Sequence, residues 1–308
     1  MVMKKKRDNR SLFKTGYDET RMIILDDEML HHMQKAVLSI LKDFVAVADK
    51  YDLNYSLGGG SALGAVRHKG FIPWDDDVDI NIPRKDYNRF LEIFDKELGD
   101  RYFLGAPEIG RNHGMSSSQL MRKGTVYKSF NELSRKVAGI GIDIFVIENT
   151  YNNPIRRKFE GYRSLIWGYI LTCRKTYHDM RYIRKYLEPG SETMKAFEKK
   201  YRIGRFFKRW SLNDITSKTR NQYARCKDDN SEYVTVPSGR KHYFGEMYKR
   251  SVLCETIKVP FEDITVRLSK EYDVYLRGLY GDTYMEIPPE GKGREQHPIM
   301  KLDFGEEL

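Results

Sequence analysis

Four aspartates occupy five consecutive positions in the segment WDDDVDINIP, which begins at Trp74. From Asp77 to Ile82 polar and apolar residues alternate as in a β-strand, so we expect the side chains of Asp77 and Asp79 on one face. Two carboxylates so close repel each other, and burying them is costly unless a cation lies between them. The pattern predicts Mg²⁺ or Mn²⁺, which bind carboxylate, phosphate and water oxygens. The alternative is a solvated edge strand or turn.

A glycine-rich turn with the sequence GGGS precedes the aspartates at residues 58–61. It follows a short apolar strand and opens a short helix, and a helix N-terminus offers backbone amides and a partial positive charge to a phosphate. Gly59 and Gly60 are therefore predicted to bind phosphate. Ser61 is a candidate either for capping this helix or for contacting a phosphate oxygen, and both roles remain open.

A lone acid, Asp143, interrupts the apolar segment GIGIDIFVI at residues 139–147. An acid inside a buried strand is paired, protonated or bound to a metal. With Asp77 and Asp79 upstream, we interpret Asp143 as the third metal ligand, and a structural salt bridge is the alternative.

The order of these features resembles the nucleotidyltransferase fold, and residues 60–80 resemble the LicD family of phosphocholine transferases, to which fukutin-related proteins are similar. Other positions that fit this family pattern are Arg84, Lys85, Asp86, Tyr87, Asp143, Ile144, Phe145, Tyr275, Leu276, Tyr280, Gly281, Asp282, Met285, Pro288, Pro289 and His297. The resemblance covers most of residues 26–300, but residues 150–230 contain no matching motif.

The resemblance implies transfer of a phospho-alcohol group from a CDP-alcohol donor such as CDP-choline, with release of CMP. The implied acceptor is a hydroxyl of a cell-surface glycan, such as lipopolysaccharide or teichoic acid, or of its lipid-linked precursor. Metal-bound carboxylates suit this reaction, because a divalent cation offsets the charge of a diphosphate during in-line attack.

Several other side chains are candidates for this site. Arg67 and Lys69 could balance the charge of the leaving group, although basic residues on a helix are often only solvated. Trp74 could stack on cytosine or pack the aspartate loop. His297 is a candidate general base for the acceptor hydroxyl, with His68 or an acid such as Asp75 or Asp76 as alternatives.

The composition is that of a folded protein: 40% of the 308 residues are hydrophobic and 13% are aromatic. No apolar run approaches 18 residues, and the basic N-terminus is not followed by the apolar stretch of a signal peptide. Cys173, Cys226 and Cys254 show no metal-binding spacing, which indicates reduced thiols in the cytoplasm.

We predict an α+β fold in which a nucleotidyltransferase-like core with a mixed sheet carries a basic helical insertion. The predicted parts are a flexible basic arm (1–25), the catalytic core (26–150), a helical subdomain (151–230) and a C-terminal part that completes the site (231–308). Predicted helices cover 26–51, 61–68, 85–98, 212–227 and 269–280, and predicted strands cover 54–57, 77–82, 101–104, 118–129, 139–147, 233–237, 257–260 and 264–268.

The excess positive charge is concentrated in residues 151–210, which contain 16 Lys and Arg against 5 Asp and Glu, whereas the net charge of the whole chain is +10. Aromatic residues are interleaved with these charges. The segment could contact anionic lipid at the inner face of the membrane. It could bind nucleic acid, which we consider unlikely. It could also be a helical subdomain with an aromatic core and a basic surface.

Two further functions remain open. A nucleotidyltransferase would use the same carboxylates to move a nucleoside monophosphate from CTP or ATP and would release pyrophosphate. A non-catalytic protein would use the basic segment to hold RNA or a membrane, independently of Mg²⁺.

Overall fold

The computed structural model describes residues 16–110, 114–289 and 297–305. Predictions for residues 1–15 of the basic arm, and for residues 290–296 and 306–308 of the C-terminal part, lie outside these ranges. The helices of the described residues are α1 (Asp27–Lys50), α2 (Gly59–His68), α3 (Arg84–Glu97), α4 (Pro154–Ile183), α5 (Glu192–Phe206), α6 (Leu212–Tyr223), α7 (His242–Gly245), α8 (Arg250–Cys254) and α9 (Tyr272–Tyr280). The strands are β1 (Ser56–Leu57), β2 (Asp79–Pro83), β3 (Tyr102–Gly105), β4 (Ser118–Arg122), β5 (Val126–Lys128), β6 (Gly141–Asn149), β7 (Tyr233–Thr235), β8 (Met247–Lys249), β9 (Thr256–Phe261), β10 (Ile264–Ser269) and β11 (Lys301–Asp303).

A mixed sheet with the strand order β1-β2-β6-β4-β3 forms the centre of the molecule. Strands β2 and β6 are parallel, and the other neighbours in this order are antiparallel. Strand β7 pairs with the end of β6, and β8 pairs with β7. Outside this sheet, β9 pairs with β10 and β5 pairs with β11. Helices flank the sheet, which confirms the predicted α+β fold class.

Helix α1 covers one face of the sheet because its apolar residues recur at helical spacing. It begins after Asp26, whose carboxylate accepts a hydrogen bond of 2.8 Å from the amide of Met29. Its buried residues join those of β2 and β6 in one core, which includes Val37, Ile40, Phe44, Ile80, Ile82, Ile142 and Ile144. Each such side chain stabilises the fold by about 1.5–3 kcal/mol on burial. This core holds the strands that carry Asp79 and Asp143.

Several predicted boundaries are wrong, and tertiary pairing explains the largest difference. The strand predicted at 118–129 is two strands, β4 and β5, separated by a turn in which Gly124 has φ of +81°. Strand β5 leaves the main sheet because it pairs with β11 near the end of the chain. Strand β2 begins at Asp79, so Asp77 precedes the strand. Ser269 ends β10 and donates a hydrogen bond to the carbonyl of Val252, so it does not cap α9.

An ion-pair network connects the helical region formed by α4, α5 and α6 to the central sheet. The contact from the helical side is made by α6. Arg84, at the start of α3, donates hydrogen bonds to the fully buried carboxylate of Glu148 on β6. It also donates to Oε1 of Glu108 at a distance of 3.1 Å. Arg220 of α6 approaches the same Glu108 oxygen at 2.5 Å and donates to the carbonyl of Ser116 at 3.0 Å. Two guanidinium groups therefore share one carboxylate between the sheet and the helical region.

Within the residues described here, no helix is both long enough and apolar enough to cross a bilayer.

The shared carboxylate gives a prediction about stability. Burial alone would raise the pKa of Glu108, but Arg220 and Arg84 outweigh it and lower this pKa from 4.5 to about 2. Because the folded-state pKa is lowered, the stabilisation is present above about pH 4.5 and is lost as the pH falls toward 2. We expect Glu108→Gln to lower the free energy of unfolding at pH 7 by about 2 kcal/mol, a value discounted for the partial exposure of the carboxylate.

Urea unfolding of both proteins between pH 7 and pH 3 measures this effect, and the difference between them should shrink as the pH falls. Glu92→Gln is the matched control, because Glu92 pairs with Arg89 while its side chain is 65% exposed. That substitution should change stability by less than about 0.5 kcal/mol. A stability difference at Glu108 that stays constant with pH would contradict the assignment.

Candidate active site

Asp79 and Asp143 are brought together by the parallel pairing of β2 and β6. They are direct register partners, and the amide of Asp143 donates a hydrogen bond of 2.9 Å to the carbonyl of Val78. Both side chains are half-buried, between core residues that alternate to the other face of the sheet. The register therefore places two of the three predicted metal ligands on neighbouring strands.

The glycine-rich turn packs directly against these aspartates. The amide of Gly58 donates to the carbonyl of Asp79 at 2.8 Å, and the amide of Asp79 donates to the hydroxyl of Ser61 at 2.9 Å. Gly59 has φ of +46°, and a Cβ there would lie 2.6 Å from Oδ2 of Asp79. A Cβ on Gly60 would lie 2.7 Å from Oδ2 of Asp75. Glycine is needed here because carboxylates approach the backbone closely, and Ser61 holds Asp79 in place.

The carboxylates of this cluster disfavour one another's charge. Burial, followed by the charges of Asp77 and Asp143, raises the pKa of Asp79 well above its ordinary value. Burial also raises the pKa of Asp143 to about 7, although a hydrogen bond from Gln119 opposes the shift. Burial and then the charge of Asp77 raise the pKa of Asp75. A bound cation would relieve both the burial cost and the repulsion.

His297 reaches the cluster from the C-terminal segment. The segment is held by hydrogen bonds from Ile23 to Ile299 and from Met300 to Lys128, each of 2.8 Å, and then continues as β11. Nδ1 of His297 lies 2.6 Å from Oδ1 of Asp76, and this hydrogen bond raises the pKa of His297 well above its ordinary value. Asp76 therefore favours the charged form of the imidazole and orients the ring toward the aspartates.

Ligand atoms of Asp75, Asp76 and His297 all lie within 4.8 Å of one another in the described residues, so this acidic group could hold a metal ion. This set differs from the predicted Asp77, Asp79 and Asp143, but the two sets are contiguous. Nε2 of His297 lies 3.9 Å from Oδ2 of Asp77.

Both sets contain a buried oxygen without a hydrogen-bond partner among the residues that the structure describes. These oxygens are Oδ1 of Asp143 and Oδ2 of Asp76. In the second set, Oδ1 of Asp76 is already paired with Nδ1 of His297. Oxygen ligands of this kind fit Mg²⁺ or Mn²⁺.

Two cavities meet at the aspartates. The larger, of about 940 Å³, is lined by Asp75, Asp76, Asp77, Asp143 and His297 and extends to Tyr17, Phe130, Glu132 and the pair Pro288 and Pro289. The smaller, of about 260 Å³, is lined by Gly59, Asp79, Asn81, Phe145 and Tyr275. Gly60, Asp75, Asp77, Arg240, Tyr280 and His297 line both cavities. The acidic centre therefore lies where two ligand-sized spaces join.

The remaining predicted site residues occupy different places. Arg67 lines the larger cavity, and its Nη1 donates to the carbonyls of Tyr284 and Glu286 at 3.0 and 3.1 Å. Trp74 is half-buried in the wall of this cavity, with the Arg67 guanidinium 6.0 Å from its ring. His68 accepts a hydrogen bond of 2.9 Å from Arg67 and lines neither cavity. Lys69 is exposed at the opposite end of α2 from the glycine turn, about 15 Å along the helix, and also lines neither cavity.

The sequence analysis did not assign Arg240 to the site, and it matched Tyr275 and Tyr280 of α9 to the family pattern without giving them a role. Arg240 lies between β7 and α7 and faces both cavities. The hydroxyl of Tyr275 accepts hydrogen bonds of 3.0 Å from the amide of Gly59 and from Nδ2 of Asn81, so this Gly59 amide already has a partner. Burial and the charge of Asp79 raise the pKa of Tyr280, which lines both cavities. The available signal was Arg240 in a glycine-bounded loop.

Comparison with known proteins identifies a matching family domain and several similar proteins. The family described as LicD/FKTN/FKRP, nucleotidyltransferase domain, matches residues 52–193. The chain is 26% identical over 272 residues to the lipopolysaccharide cholinephosphotransferase LicD of Haemophilus influenzae, an alignment that covers 87% of this chain and 96% of that protein. It is 37% identical over 91 residues to an uncharacterized protein of Rickettsia typhi, covering 27% of this chain and 29% of that protein. It is 37% identical over 65 residues to the human ribitol 5-phosphate transferase FKRP, covering 21% of this chain and 13% of that protein.

The matched domain contains the glycine turn and both strands that carry the paired aspartates. The alignment with the Haemophilus protein extends over nearly the whole length of that relative. Together these findings replace the non-catalytic interpretation with an enzymatic one. The resemblance to the LicD family that the sequence predicted is confirmed by the domain match over residues 52–193, and the chain is a phosphotransferase.

Proposed function

We propose that this enzyme transfers a phospho-alcohol group from a CDP-alcohol donor to a hydroxyl of a glycan or its lipid-linked precursor and releases CMP. The observation that carries the proposal is the Asp79–Asp143 pair at the junction of two cavities, inside the matched family domain. One relative is named a lipopolysaccharide cholinephosphotransferase and another a ribitol 5-phosphate transferase. Both names describe transfer of a phosphorylated alcohol, so we propose this class of group.

We assign Asp77, Asp79 and Asp143 as the residues that would hold Mg²⁺ or Mn²⁺. Support comes from the unpartnered Oδ1 of Asp143 within the described residues and from the burial and repulsion that raise the pKa of Asp79. Bound Mg²⁺ would offset the charge of the donor diphosphate and of the departing CMP.

Three groups of this chain would bind the phosphates. Gly60 lies in the first turn of α2 and lines both cavities, and the helix dipole there favours an anion. Arg240 faces both cavities and supplies a guanidinium, which binds phosphate oxygens in a bidentate manner. His297 is oriented by Asp76 through Nδ1, and we assign its Nε2, which lies 3.9 Å from Oδ2 of Asp77, as a hydrogen-bond donor to the phosphoryl group.

In the proposed step, the acceptor hydroxyl oxygen attacks the phosphorus that bears the alcohol. The bond from this phosphorus to the bridging oxygen of the diphosphate breaks, and CMP leaves with the bonding electrons. The hydroxyl proton passes to the carboxylate of Asp75, which lines both cavities and whose raised pKa suits a proton acceptor. We place the reaction at the cytoplasmic face of the membrane, where a charged nucleotide donor meets a lipid-linked acceptor.

Product analysis distinguishes this proposal from the alternative suggested by the words "nucleotidyltransferase domain". The enzyme is incubated with Mg²⁺ and with CDP-choline, CDP-glycerol, CTP or ATP, and the nucleotide products are separated by chromatography. Release of CMP from a CDP-alcohol supports the proposal. Release of pyrophosphate from CTP or ATP would replace it with nucleotidyl transfer.

The carboxylates give a prediction with opposite effects on stability and activity. Asp79→Asn and Asp143→Asn remove one of several repelling charges, so each variant should melt at a higher temperature than the wild type in EDTA. Each should lose the thermal stabilisation by CDP-alcohol with Mg²⁺ and should lower kcat by roughly a hundredfold to a thousandfold. The exposed Asp100→Asn is the control and should change neither quantity. Full turnover in both site variants would exclude the assigned ligands.

The close approach at Gly59 gives a second prediction. Gly59→Ala would place a Cβ 2.6 Å from Oδ2 of Asp79 and displace this carboxylate, so kcat/KM should fall by about tenfold or more. Gly190→Ala is the control, because Gly190 also has positive φ (+79°) but a Cβ there meets open space. Both variants carry the backbone cost of about 1 kcal/mol. Equal losses of activity in the two would show that backbone strain alone is responsible.

Arg240 gives a third prediction, measured by steady-state kinetics with a CDP-alcohol. Arg240→Ala should raise the KM of the donor by about tenfold, since a charge-assisted hydrogen bond to phosphate is lost. Arg240→Lys should recover part of the affinity because it keeps the charge but not the bidentate geometry. Lys249→Ala, an exposed cation on β8, serves as the control. An unchanged KM in Arg240→Ala would remove this residue from the phosphate site.

A further inference from the structure

One face of α4 exposes large apolar side chains that lie outside the active site. Its members recur at spacings of four and three residues, so they form a single stripe over the first half of the helix. The stripe consists of Ile155, Phe159, Tyr162, Ile166 and Tyr169, with exposed fractions of 80, 59, 53, 58 and 46%. Contiguous apolar surface of this kind marks an interaction site more often than scattered residues do.

The same face continues under α5 in the second half of α4. Cys173, four residues after Tyr169, packs so closely against Gly204 that no Cβ would fit there, and Tyr177 stacks on Tyr201 with ring centroids 5.1 Å apart. Helix α5 ends at Phe206, which is 86% exposed. The face is thus a packing surface that α5 covers from Cys173 onward and leaves uncovered from Ile155 to Tyr169.

Positive charges border the uncovered stripe. Arg156 and Lys158 are exposed beside its first turn, and Arg163 lies beside its centre. Where α5 ends, Arg205, Lys208 and Arg209 are exposed next to Phe206 and Trp210. The surface therefore combines an apolar centre with a cationic border.

This charge pattern discriminates between possible occupants. A second copy that packed through the same stripe would bring Arg156, Lys158 and Arg163 against identical cations, which is unfavourable. Nucleic acid would use the cations, but the aliphatic Ile155 and Ile166 offer no stacking surface to bases. An anionic bilayer matches both parts, because apolar side chains enter the boundary between headgroups and acyl chains while Lys and Arg contact the headgroups.

We propose that the stripe of α4, with its basic border, is a peripheral docking surface for an anionic lipid membrane. The surface adjoins the active site through one segment of chain. Phe244 of α7 packs on Tyr162 with ring centroids 5.3 Å apart, and Arg240, four residues earlier, faces the catalytic cavities. The proposed docking depends only on this surface. The further idea that docking presents a lipid-linked acceptor to the active site rests on the proposed function.

Flotation with lipid vesicles tests the proposal. The full chain is mixed with vesicles of phosphatidylcholine alone or with one third phosphatidylglycerol, and the bound fraction is measured at low and physiological salt. Wild-type protein should float with the anionic vesicles and much less with the neutral ones. Failure to bind anionic vesicles at low salt would overturn the proposal.

Matched variants separate the two parts of the surface. Phe159→Ser with Ile166→Ser should weaken binding at least tenfold, whereas Val274→Ser with Ile24→Ser, two residues exposed elsewhere, should not. Arg156→Gln with Lys158→Gln should weaken binding to anionic vesicles by about thirtyfold, whereas Lys96→Gln with Lys270→Gln should have little effect. Because all these side chains are exposed, thermal unfolding should be unchanged. Equal loss in stripe and control variants would contradict the assignment.

Other occupants and the proposed activity are tested separately. If wild-type protein elutes as a dimer and the Phe159→Ser, Ile166→Ser variant as a monomer, a second copy covers the stripe and the proposal is wrong. Binding to RNA that competes with vesicles and requires the stripe would also overturn it. Turnover of a water-soluble acceptor should persist in the stripe variant, so failure of docking and failure of the proposed reaction give different results.

Discussion

Repulsion between carboxylates on adjacent strands is the constraint around which this enzyme is built. The register of β2 and β6 makes Asp79 and Asp143 neighbours, and Asp77 and Asp75 add negative charge beside them. Such a cluster opposes folding, so the buried apolar residues of α1 and the sheet must outweigh it. A rigid core thus holds these carboxylates close together despite their repulsion, which is the preorganisation that the proposed cation site requires.

Local patterns allowed much of the centre to be predicted. Strand alternation and an isolated acid in an apolar run were sufficient to place Asp79 and Asp143 on strands, and the glycines to place a strand–helix junction beside them. The pairing of Asp76 with His297 was not predictable, because 221 positions separate these residues and long-range contacts of the C-terminal segment, with Ile23 and with β5, bring them together. The position of Arg240 beside the two cavities depends on tertiary contacts in the same way.

The basic helical region shows a different limit of sequence patterns. Its charge excess and aromatic content were evident, but α4 has continuous amphipathic spacing that does not reveal where a second helix covers it. In the structure, Tyr177 and Tyr201 stack between helices, while Phe159 remains exposed on the same side of α4. Aromatic packing between helices therefore occupies the second half of α4, and the surface that we propose for lipid contact occupies the first half.

The placement of His297 has a consequence for the order of events during synthesis. The strands that hold the carboxylates, the glycine turn and α1 all leave the ribosome well before β11, whose pairing with β5 fixes the imidazole. A nascent chain can therefore pair β2 with β6 while the cavity wall that carries His297 is still missing. The carboxylates are then in place before the imidazole that completes the cavity around them.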